Sequence, residues 1–374
     1  MRRNRWISNA NVLIFVGIRL NFKYLFACTN LEKINMKHFL TILAAVTLLY
    51  SCNDTPKTGT VTFNDLPAEH KIEVYVDGKL FTNFLYPDNM EKQVLNPIYT
   101  ASGIEVTRGY PWNPRPYERV DHVHHYGMWF NFGSVNGIDF WNNSPRVTED
   151  RKHLFGTIKF TGIEEQSPEE GRLVVLGDWV NSGDTVLLRE RTTYIFGGNA
   201  TTRTVERTTE LIAQTEVVFM EDKEGLFGIR VDRAFEEQAT APIEVLDAHA
   251  QPTSEKILNN EGVTGIYRNA QGDTGAGVWS KRSPWVALQG TKEGEVITIA
   301  VIDNQSNPGY PAWSHARGYG LFATNNLGGR AFDKDAEELK ITLQPGERLT
   351  FKYRVIIGGE LTDEYLNESA QAYN

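Results

Sequence analysis

The sequence contains very little cysteine, with only Cys28 and Cys52 among 374 residues. So few cysteines exclude a disulfide framework and a zinc site built from cysteines. The chain also lacks a GxxxxGK[ST] phosphate loop, a GxGxxG turn, an HExxH helix and a GxSxG elbow. These absences argue against nucleotide-driven chemistry and against an α/β-hydrolase.

Basic residues are fewer than acidic ones. The sequence contains 38 Lys and Arg and 47 Asp and Glu, which gives a formal net charge of −9. An acidic chain is not built mainly to hold nucleic-acid phosphates, so we expect no nucleic-acid partner. Residues 1–51 hold seven basic residues and one acidic residue, so a chain beginning at Cys52 has 31 basic against 46 acidic residues and a charge of −15. A strongly anionic polysaccharide would need a local basic patch on such a surface.

Residues 36–52, MKHFLTILAAVTLLYSC, have the pattern of a bacterial export signal. A basic start precedes an apolar run of about a dozen residues, which is too short to span a bilayer comfortably. The final Leu-Tyr-Ser-Cys resembles the lipoprotein signal, in which the cysteine is acylated and becomes the mature N-terminus. We therefore expect a lipoprotein signal peptide over 36–51, lipidation at Cys52 and a polar tether over 52–59. A plain cleaved signal peptide and a single membrane anchor are the alternatives.

Residues 1–35 are not part of this signal-peptide pattern. We expect them to reflect a start codon assigned upstream of the true start at Met36. An additional membrane-associated segment is the alternative. The expected location is the bacterial cell envelope, on its periplasmic or outer face, with the N-terminal lipid as the contact with the membrane.

Strand signals predominate from residue 60 onward. Lys71–Val76 alternates apolar and polar residues before an Asp-Gly turn, and 201–211 has the same period of two. Helix signals are weak apart from 362–372, where Thr362 is placed as an N-cap. We expect a single all-β domain over 60–374, with large antiparallel sheets packed face to face and few helices. Two packed sandwich halves within it are the alternative.

Residues 121–141, DHVHHYGMWFNFGSVNGIDFW, concentrate histidine and aromatic residues. If this segment is extended, His122 and His124 project to one face and His125 to the other. Imidazole acts as a general acid or base near neutral pH, and its neutral form ligates transition metals, so a divalent metal is possible here. The alternative is that these histidines are hydrogen-bonded packing residues.

A carboxylate beside such a cluster orients an imidazole through its second ring nitrogen, a role open to Asp121 or Asp139. Glu224 lies immediately before a predicted strand, where a carboxylate facing an imidazole would make an acid–base pair. Lys281 and Arg282 stand between two tryptophans, and such cations bind carboxylates or stabilise oxyanions. A solvated turn is the alternative at Glu224 and at Lys281–Arg282.

A second aromatic segment covers residues 307–320. Trp313, His315, Arg317 and Tyr319 alternate along it, which predicts that they share one face. Aromatic rings offer apolar faces to the C–H groups of sugars, while Arg and His supply directed polar contacts. A packed Pro/aromatic loop is the alternative.

These segments together resemble the methane oxygenase PmoA-like family, whose first motif is similar to DHPHHRGLWFAHGDVNGVDFW. Its KEGGFGIR-like, KRxPW-like and NPRYPxxWHxRxYGLFAxNPFG-like segments correspond to 223–230, 281–285 and 307–328. Val123 and Tyr126 stand where that first motif has Pro and Arg. The resemblance implies an all-β, galactose-mutarotase-like sandwich. It does not imply methane oxidation, because a particulate methane monooxygenase subunit is a membrane protein.

The resulting hypothesis is a cell-envelope enzyme of the hydrolase, lyase or epimerase type, acting on a carbohydrate or sugar-derived small molecule by acid–base chemistry. The predicted catalytic residues are His122, His124, His315 and Glu224. The predicted substrate-binding residues are His125, Trp129, Asp139, Trp141, Arg230, Lys281, Arg282, Trp313, Arg317 and Tyr319. A non-catalytic glycan-binding lipoprotein and a His-ligated metal protein are the alternatives.

Overall fold

The computed structural model describes residues 59–374, which form twenty β-strands, one α-helix and several short 3-10 turns. The predicted signal peptide, Cys52 and residues 1–35 lie outside these residues, as does the tether apart from Gly59. The first ten strands are β1 (Val61–Leu66), β2 (Lys71–Val76), β3 (Lys79–Leu85), β4 (Val94–Ile98), β5 (Met128–Phe132), β6 (Thr157–Ser167), β7 (Arg172–Val180), β8 (Val186–Gly198), β9 (Arg203–Ala213) and β10 (Val217–Phe219). The remaining elements are β11 (Gly225–Arg230), β12 (Ile243–Leu246), β13 (Pro252–Ile257), β14 (Ile266–Asn269), β15 (Trp285–Lys292), β16 (Glu295–Asp303), β17 (Trp313–Arg317), β18 (Leu321–Asn325), β19 (Ile341–Leu343), β20 (Arg348–Gly358) and α1 (Asp363–Ala372).

Sixteen of these strands form two eight-stranded sheets. The first sheet has the order β1-β2-β3-β4-β5-β11-β18-β17, and the second has the order β14-β15-β16-β20-β9-β8-β7-β6. Neighbouring strands are antiparallel throughout, as in the pairs β5–β11 and β20–β9. The predicted all-β class, with large antiparallel sheets and few helices, is confirmed. Within residues 59–374, none of the helical segments combines the length and apolar character that crossing a bilayer requires.

The two large sheets pack face to face through aromatic side chains. Phe130 of β5 contacts Phe351 of β20 at 5.6 Å between ring centroids, and Phe227 of β11 stacks on Tyr353 of β20 at 4.8 Å. Side chains alternate between the two faces of a strand, so Phe130 faces the second sheet while Trp129 faces away from it. The first sheet therefore has an outer face that lies opposite the sandwich core.

Local sequence patterns predicted several of these elements correctly. The alternating run Lys71–Val76 is β2, and the Asp-Gly turn after it leads into β3. Thr362 caps α1, because its Oγ1 accepts a hydrogen bond from the backbone N–H of Tyr365 at 3.2 Å. Short-range signals of this kind depend on neighbouring residues alone.

One row of paired residues crosses the outer face of the first sheet. Trp129 pairs with Gly228, Gly228 with Ala323, and Ala323 with His315, across β5, β11, β18 and β17. The two central members are small, which leaves space for the large rings at the ends. A Cβ atom on Gly228 would lie 2.7 Å from the indole of Trp129. Glycine at this position therefore lets that indole lie across the neighbouring strand.

The connection between β4 and β5 packs on this outer face, since its Tyr126 belongs to a buried cluster with Trp129 and Ala323. Two buried cations hold the connection through its backbone carbonyls. Arg108 donates to the carbonyl of His122 at 2.9 Å and of His125 at 2.6 Å. Lys92, two residues before β4, donates to the carbonyl of His124 at 2.7 Å.

We predict that Gly228→Ala lowers the free energy of unfolding by about 1–3 kcal/mol, because the added methyl group forces the Trp129 ring or the strand to move. Urea unfolding monitored by tryptophan fluorescence measures the loss. Gly277→Ala is the matched control, since no heavy atom lies within 4 Å of its added Cβ. Equal stabilities for the two variants would contradict the assigned packing.

Lys92 provides a pH-dependent prediction. Burial lowers its pKa from 10.5 to about 8, against the opposing attraction of Glu91 and Asp139. The unfolded chain then binds more protons between pH 8 and 10.5, so the free energy of unfolding rises with pH across that window. Relative to Lys92→Met, which carries no titrating group, the natural chain should gain about 2–3 kcal/mol over this range.

Urea unfolding of both proteins at intervals from pH 7.5 to 10.5 measures this difference. Lys256→Met, which alters an exposed lysine, is the control and should give a curve parallel to that of the natural chain. A constant difference between Lys92→Met and the natural chain at every pH would show that the amine is not desolvated in the folded state.

Candidate functional site

The Asp121 carboxylate is the electrostatic centre of the histidine cluster. It accepts hydrogen bonds from Arg108 at 3.1 Å, from Arg230 at 2.7 Å and from Nδ1 of His122 at 2.8 Å. Both guanidinium groups are completely buried. Burial acts to raise the pKa of Asp121, but Arg230, the bond from His122 and Arg108 outweigh it and hold that pKa well below its usual range. Asp121 is therefore ionised at neutral pH.

His122 is oriented by this carboxylate. An ionised carboxylate only accepts hydrogen bonds, so the proton lies on Nδ1 and neutral His122 has its lone pair on Nε2. The side chain is 39% exposed, and its backbone φ of 40° lies in the left-handed region, where a non-glycine residue is strained. An exposed, oriented imidazole of this kind can accept a proton from a bound substrate.

Asp139 is the other carboxylate considered for this role. It instead accepts hydrogen bonds from the residues that follow it in the chain. Its Oδ1 accepts the backbone N–H groups of Trp141 at 2.8 Å and Asn142 at 2.9 Å. Its Oδ2 accepts the Asn142 side-chain amide at 2.8 Å. Asp139 therefore shapes the chain that carries Trp141, while Asp121 orients the histidine.

The histidine segment is not extended, so the condition under which His122 and His124 would share one face is not met. The backbone N–H of His125 donates to the carbonyl of His122 at 2.9 Å, so the chain turns here. The ring of His125 consequently lies 4.9 Å from that of His122 and 4.3 Å from that of His124, between centroids. The three rings form one cluster instead of pointing to opposite faces.

His125 rests on two tryptophans beneath the cluster. The indole N–H of Trp141 donates to Nε2 of His125 at 3.1 Å, and the ring of Trp129 stacks on His125 at 5.3 Å. Both indoles are completely buried, so neither presents a free face to a sugar. They form the packed floor of the site and fix the position of His125.

His124 and His315 lie in surroundings that favour neutral imidazole. Burial, reinforced by Lys92 and other cations, lowers the pKa of His124 to about 2, and its Nε2 atom is covered. Burial, reinforced by Lys223 and Arg317, lowers the pKa of His315 to about 3. Both rings are therefore neutral at neutral pH. Among the four predicted catalytic residues, His122 is the one that combines exposure with an orienting carboxylate.

The two aromatic segments of the sequence meet in the structure. The ring of His315 lies nearly parallel to the indole of Trp141 at 6.3 Å, which links β17 to the floor of the histidine cluster. Phe332, which sequence analysis did not select, contacts both His315 at 5.7 Å and Trp313 at 5.9 Å. One continuous aromatic layer therefore supports both segments.

Tyr319 lies in the turn between β17 and β18, two residues beyond the end of β17. Its ring is nearly parallel to that of His122 at 4.8 Å. The guanidinium of Arg230 lies 5.0 Å from the same ring and that of Arg317 lies 5.9 Å from it. Burial raises the pKa of Tyr319 to about 12 despite these cations, so the phenol stays neutral.

The remaining predicted residues lie at the edge of this arrangement. Glu224 directly precedes β11 and forms an ion pair with Lys223. Arg282 donates to the carbonyls of residues 309–311 at 2.9–3.0 Å, so it braces that loop. Lys281 is exposed next to it.

Besides Phe332, three residues of the site were not predicted from the sequence. Arg108 and Lys92 act on backbone carbonyls 14 to 32 residues away, and such contacts leave no pattern in the sequence. Trp112 is 48% exposed and meets the buried ring of Tyr126 edge-on at 6.1 Å. The position of Trp112 two residues after Tyr110, close to the histidine-rich segment, is the one sequence signal that could have pointed to it.

Two clefts on the surface do not coincide with the histidine cluster. A cleft of about 660 Å³ is lined by residues such as Glu91, Asn143 and Asn181, and none of the predicted site residues lines it. A cleft of about 430 Å³ touches Arg282 and Trp313. Oriented, charged side chains mark the chemistry more directly than volume does, so we place the candidate site at Asp121 and His122.

Within residues 59–374, no group of three or more His, Cys, Asp or Glu side chains is arranged to hold a metal ion. The three histidine rings of the cluster pack against one another and against aromatic rings.

Several solved structures are similar to the chain. A galactose mutarotase-like protein from Clostridium acetobutylicum is 9% identical, with 81% of this chain and all of that chain covered at a TM-score of 0.32. A galactose mutarotase related enzyme from Lactobacillus acidophilus is 10% identical, with 81% and 98% covered at a TM-score of 0.29. A GH36 α-galactosidase from Geobacillus stearothermophilus is 9% identical, with 80% and 41% covered at a TM-score of 0.35. No curated protein matches the chain in sequence.

The family resemblance expected from the sequence motifs is corrected by the match to a family model. That match is to a family of unknown function, and nothing indicates a methane oxygenase PmoA-like family. The matched segment, residues 71–371, includes both aromatic segments and the Asp121–His122 pair. The chain therefore belongs to the family of unknown function DUF6807.

Proposed function

We propose that the protein is a carbohydrate-active enzyme in which His122 acts as the general base and then the general acid. The observation that carries this proposal is the Asp121–His122 hydrogen bond of 2.8 Å beneath a partly exposed imidazole. Asp121 fixes the tautomer that leaves Nε2 free, and it stabilises the imidazolium that forms when Nε2 accepts a proton. Hydrolysis, elimination and epimerisation of a sugar all require such a proton transfer.

The buried arginines prepare this pair for proton transfer. Arg108 and Arg230 keep Asp121 ionised, so the proton taken up from the substrate stays on His122 and does not pass to the carboxylate. The neutral phenol of Tyr319 lies beside the imidazole and supplies a hydrogen-bond donor for a substrate oxygen. The polar groups needed to hold and deprotonate a hydroxyl or an acidic C–H are therefore adjacent.

A sugar substrate is supported by the aromatic edge of the site. The half-exposed indole of Trp112 stands against Tyr126, next to the histidine cluster, and presents an apolar face to solvent. Sugars bind to such faces through their C–H groups, while their hydroxyls bind to polar side chains. His124, His125 and His315 act in this proposal as neutral packing and positioning residues beneath His122.

We predict that His122→Ala and Asp121→Asn each lower kcat by about 100-fold or more, because the first removes the base and the second removes the charge that orients it. NMR of the purified protein with a panel of neutral sugars, uronates and oligosaccharides would detect turnover. His249→Ala, which removes an exposed histidine from another loop, is the control and should retain full activity.

Two results would decide against this proposal. Full turnover by folded His122→Ala would show that the base lies elsewhere. Binding of a glycan without formation of any product, by the natural chain, would favour the alternative of a glycan-binding lipoprotein.

We further propose that Cys52 carries a lipid that holds the enzyme in the bacterial cell envelope. The support is the Leu-Tyr-Ser-Cys ending of the apolar run and the polar residues after it. In bacterial cells fed labelled palmitate, the natural chain should acquire the label and sediment with membranes, while Cys52→Ala should do neither. Labelling of Cys52→Ala to the same extent would contradict this assignment.

A further inference from the structure

Two guanidinium groups flank the ring of Tyr319 on the outer face of the first sheet. Arg230 pairs with Leu321 across β11 and β18, and Leu321 pairs with Arg317 across β18 and β17. The two arginines therefore lie in one row, two strands or about 10 Å apart. Their guanidiniums lie 5.0 and 5.9 Å from the ring of Tyr319, which stacks on His122.

The positive charges in this row exceed the nearby negative charges. The Asp121 carboxylate is shared between Arg108 and Arg230, so one carboxylate serves two buried guanidiniums. Two other carboxylates of the site already have cations, since Glu236 pairs with Arg119 at 2.6 Å and Glu224 pairs with Lys223. This local excess of positive charge contrasts with the acidic chain as a whole.

Arg317 has no carboxylate within 4.0 Å among residues 59–374. Its side chain is exposed, yet its guanidinium is held between two rings, 5.5 Å from Trp279 and 5.9 Å from Tyr319. Glu237 lies near the following residue, Gly318, but burial raises its pKa and no ion pair joins it to Arg317. Arg317 is thus a braced, unpaired guanidinium at the edge of the catalytic pair.

We infer that the site takes a sugar that carries a carboxylate, a hexuronate or a chain containing one, and that Arg317 binds this carboxylate. A planar guanidinium binds a carboxylate through two parallel hydrogen bonds, and bracing by aromatic rings reduces the side-chain entropy lost on binding. Excess positive charge also attracts an anion to a protein whose net charge repels it. The inference rests on the proposed sugar chemistry at His122 and names its substrate class.

Calorimetry with galacturonate and galactose, which differ in the carboxylate, tests this selectivity on the purified protein. We expect galacturonate to bind at least ten-fold more tightly, and we expect 0.5 M NaCl to reduce that preference. Arg317→Gln should make the affinities for galacturonate and galactose nearly equal. Arg317→Lys, which keeps the charge but loses the planar guanidinium, should retain part of the preference for galacturonate. Arg189→Gln alters an exposed arginine on β8 and should leave the preference unchanged.

Equal affinity for the two sugars, or an unchanged preference in folded Arg317→Gln, would overturn the inference. Product analysis separates it from the proposed function. Tight galacturonate binding with no product would refute catalysis and leave the carboxylate selectivity standing. Equal turnover of galactose and galacturonate would support the catalytic proposal and refute the selectivity. Binding of neither sugar would refute the selectivity.

Discussion

The Asp121 carboxylate is the group on which the arrangement of the outer face depends. It is the ion-pair partner of Arg108 and Arg230, which are 1% and 0% exposed. Without it, the two buried guanidiniums would lose the carboxylate that pairs with them, and loss of one partner from a buried pair costs about 3–5 kcal/mol. Arg108 also holds the carbonyls of His122 and His125, so the same carboxylate stabilises the turn that carries the histidines.

Burial then separates the histidines by function, although the sequence presents them as equivalent. Removal from water disfavours imidazolium at His124, His125 and His315, and surrounding cations add to the effect. His122 differs because its ring reaches the surface and hydrogen-bonds to an ionised carboxylate. The environment, more than the residue type, assigns one histidine to proton transfer and the others to packing.

Local sequence patterns predict the elements well, but they predict the site only through its residue composition. Alternation identified strands such as β2 and β9, and Thr362 marked the helix, because those signals lie within a few residues. The concentration of histidine and aromatic residues over 121–141 is likewise visible from neighbouring residues alone. The turn at His122 was missed because it depends on Arg108, whose bonds to distant carbonyls have no sequence signature. The burial of Trp129 was missed because it depends on Gly228, nearly 100 residues later.

The register of strand pairing places the aromatic floor of the site and its charged arginines on the same face of the first sheet. Trp129, Gly228, Ala323 and His315 form one row across β5, β11, β18 and β17, and Arg230, Leu321 and Arg317 form the next row on the same face. A slip of one residue between these strands would turn both rows toward the sandwich core. The small residues that admit the tryptophan and the arginines that surround Tyr319 therefore occupy one face through a single pairing. Gly228 is consequently a requirement of the candidate site as well as of the fold.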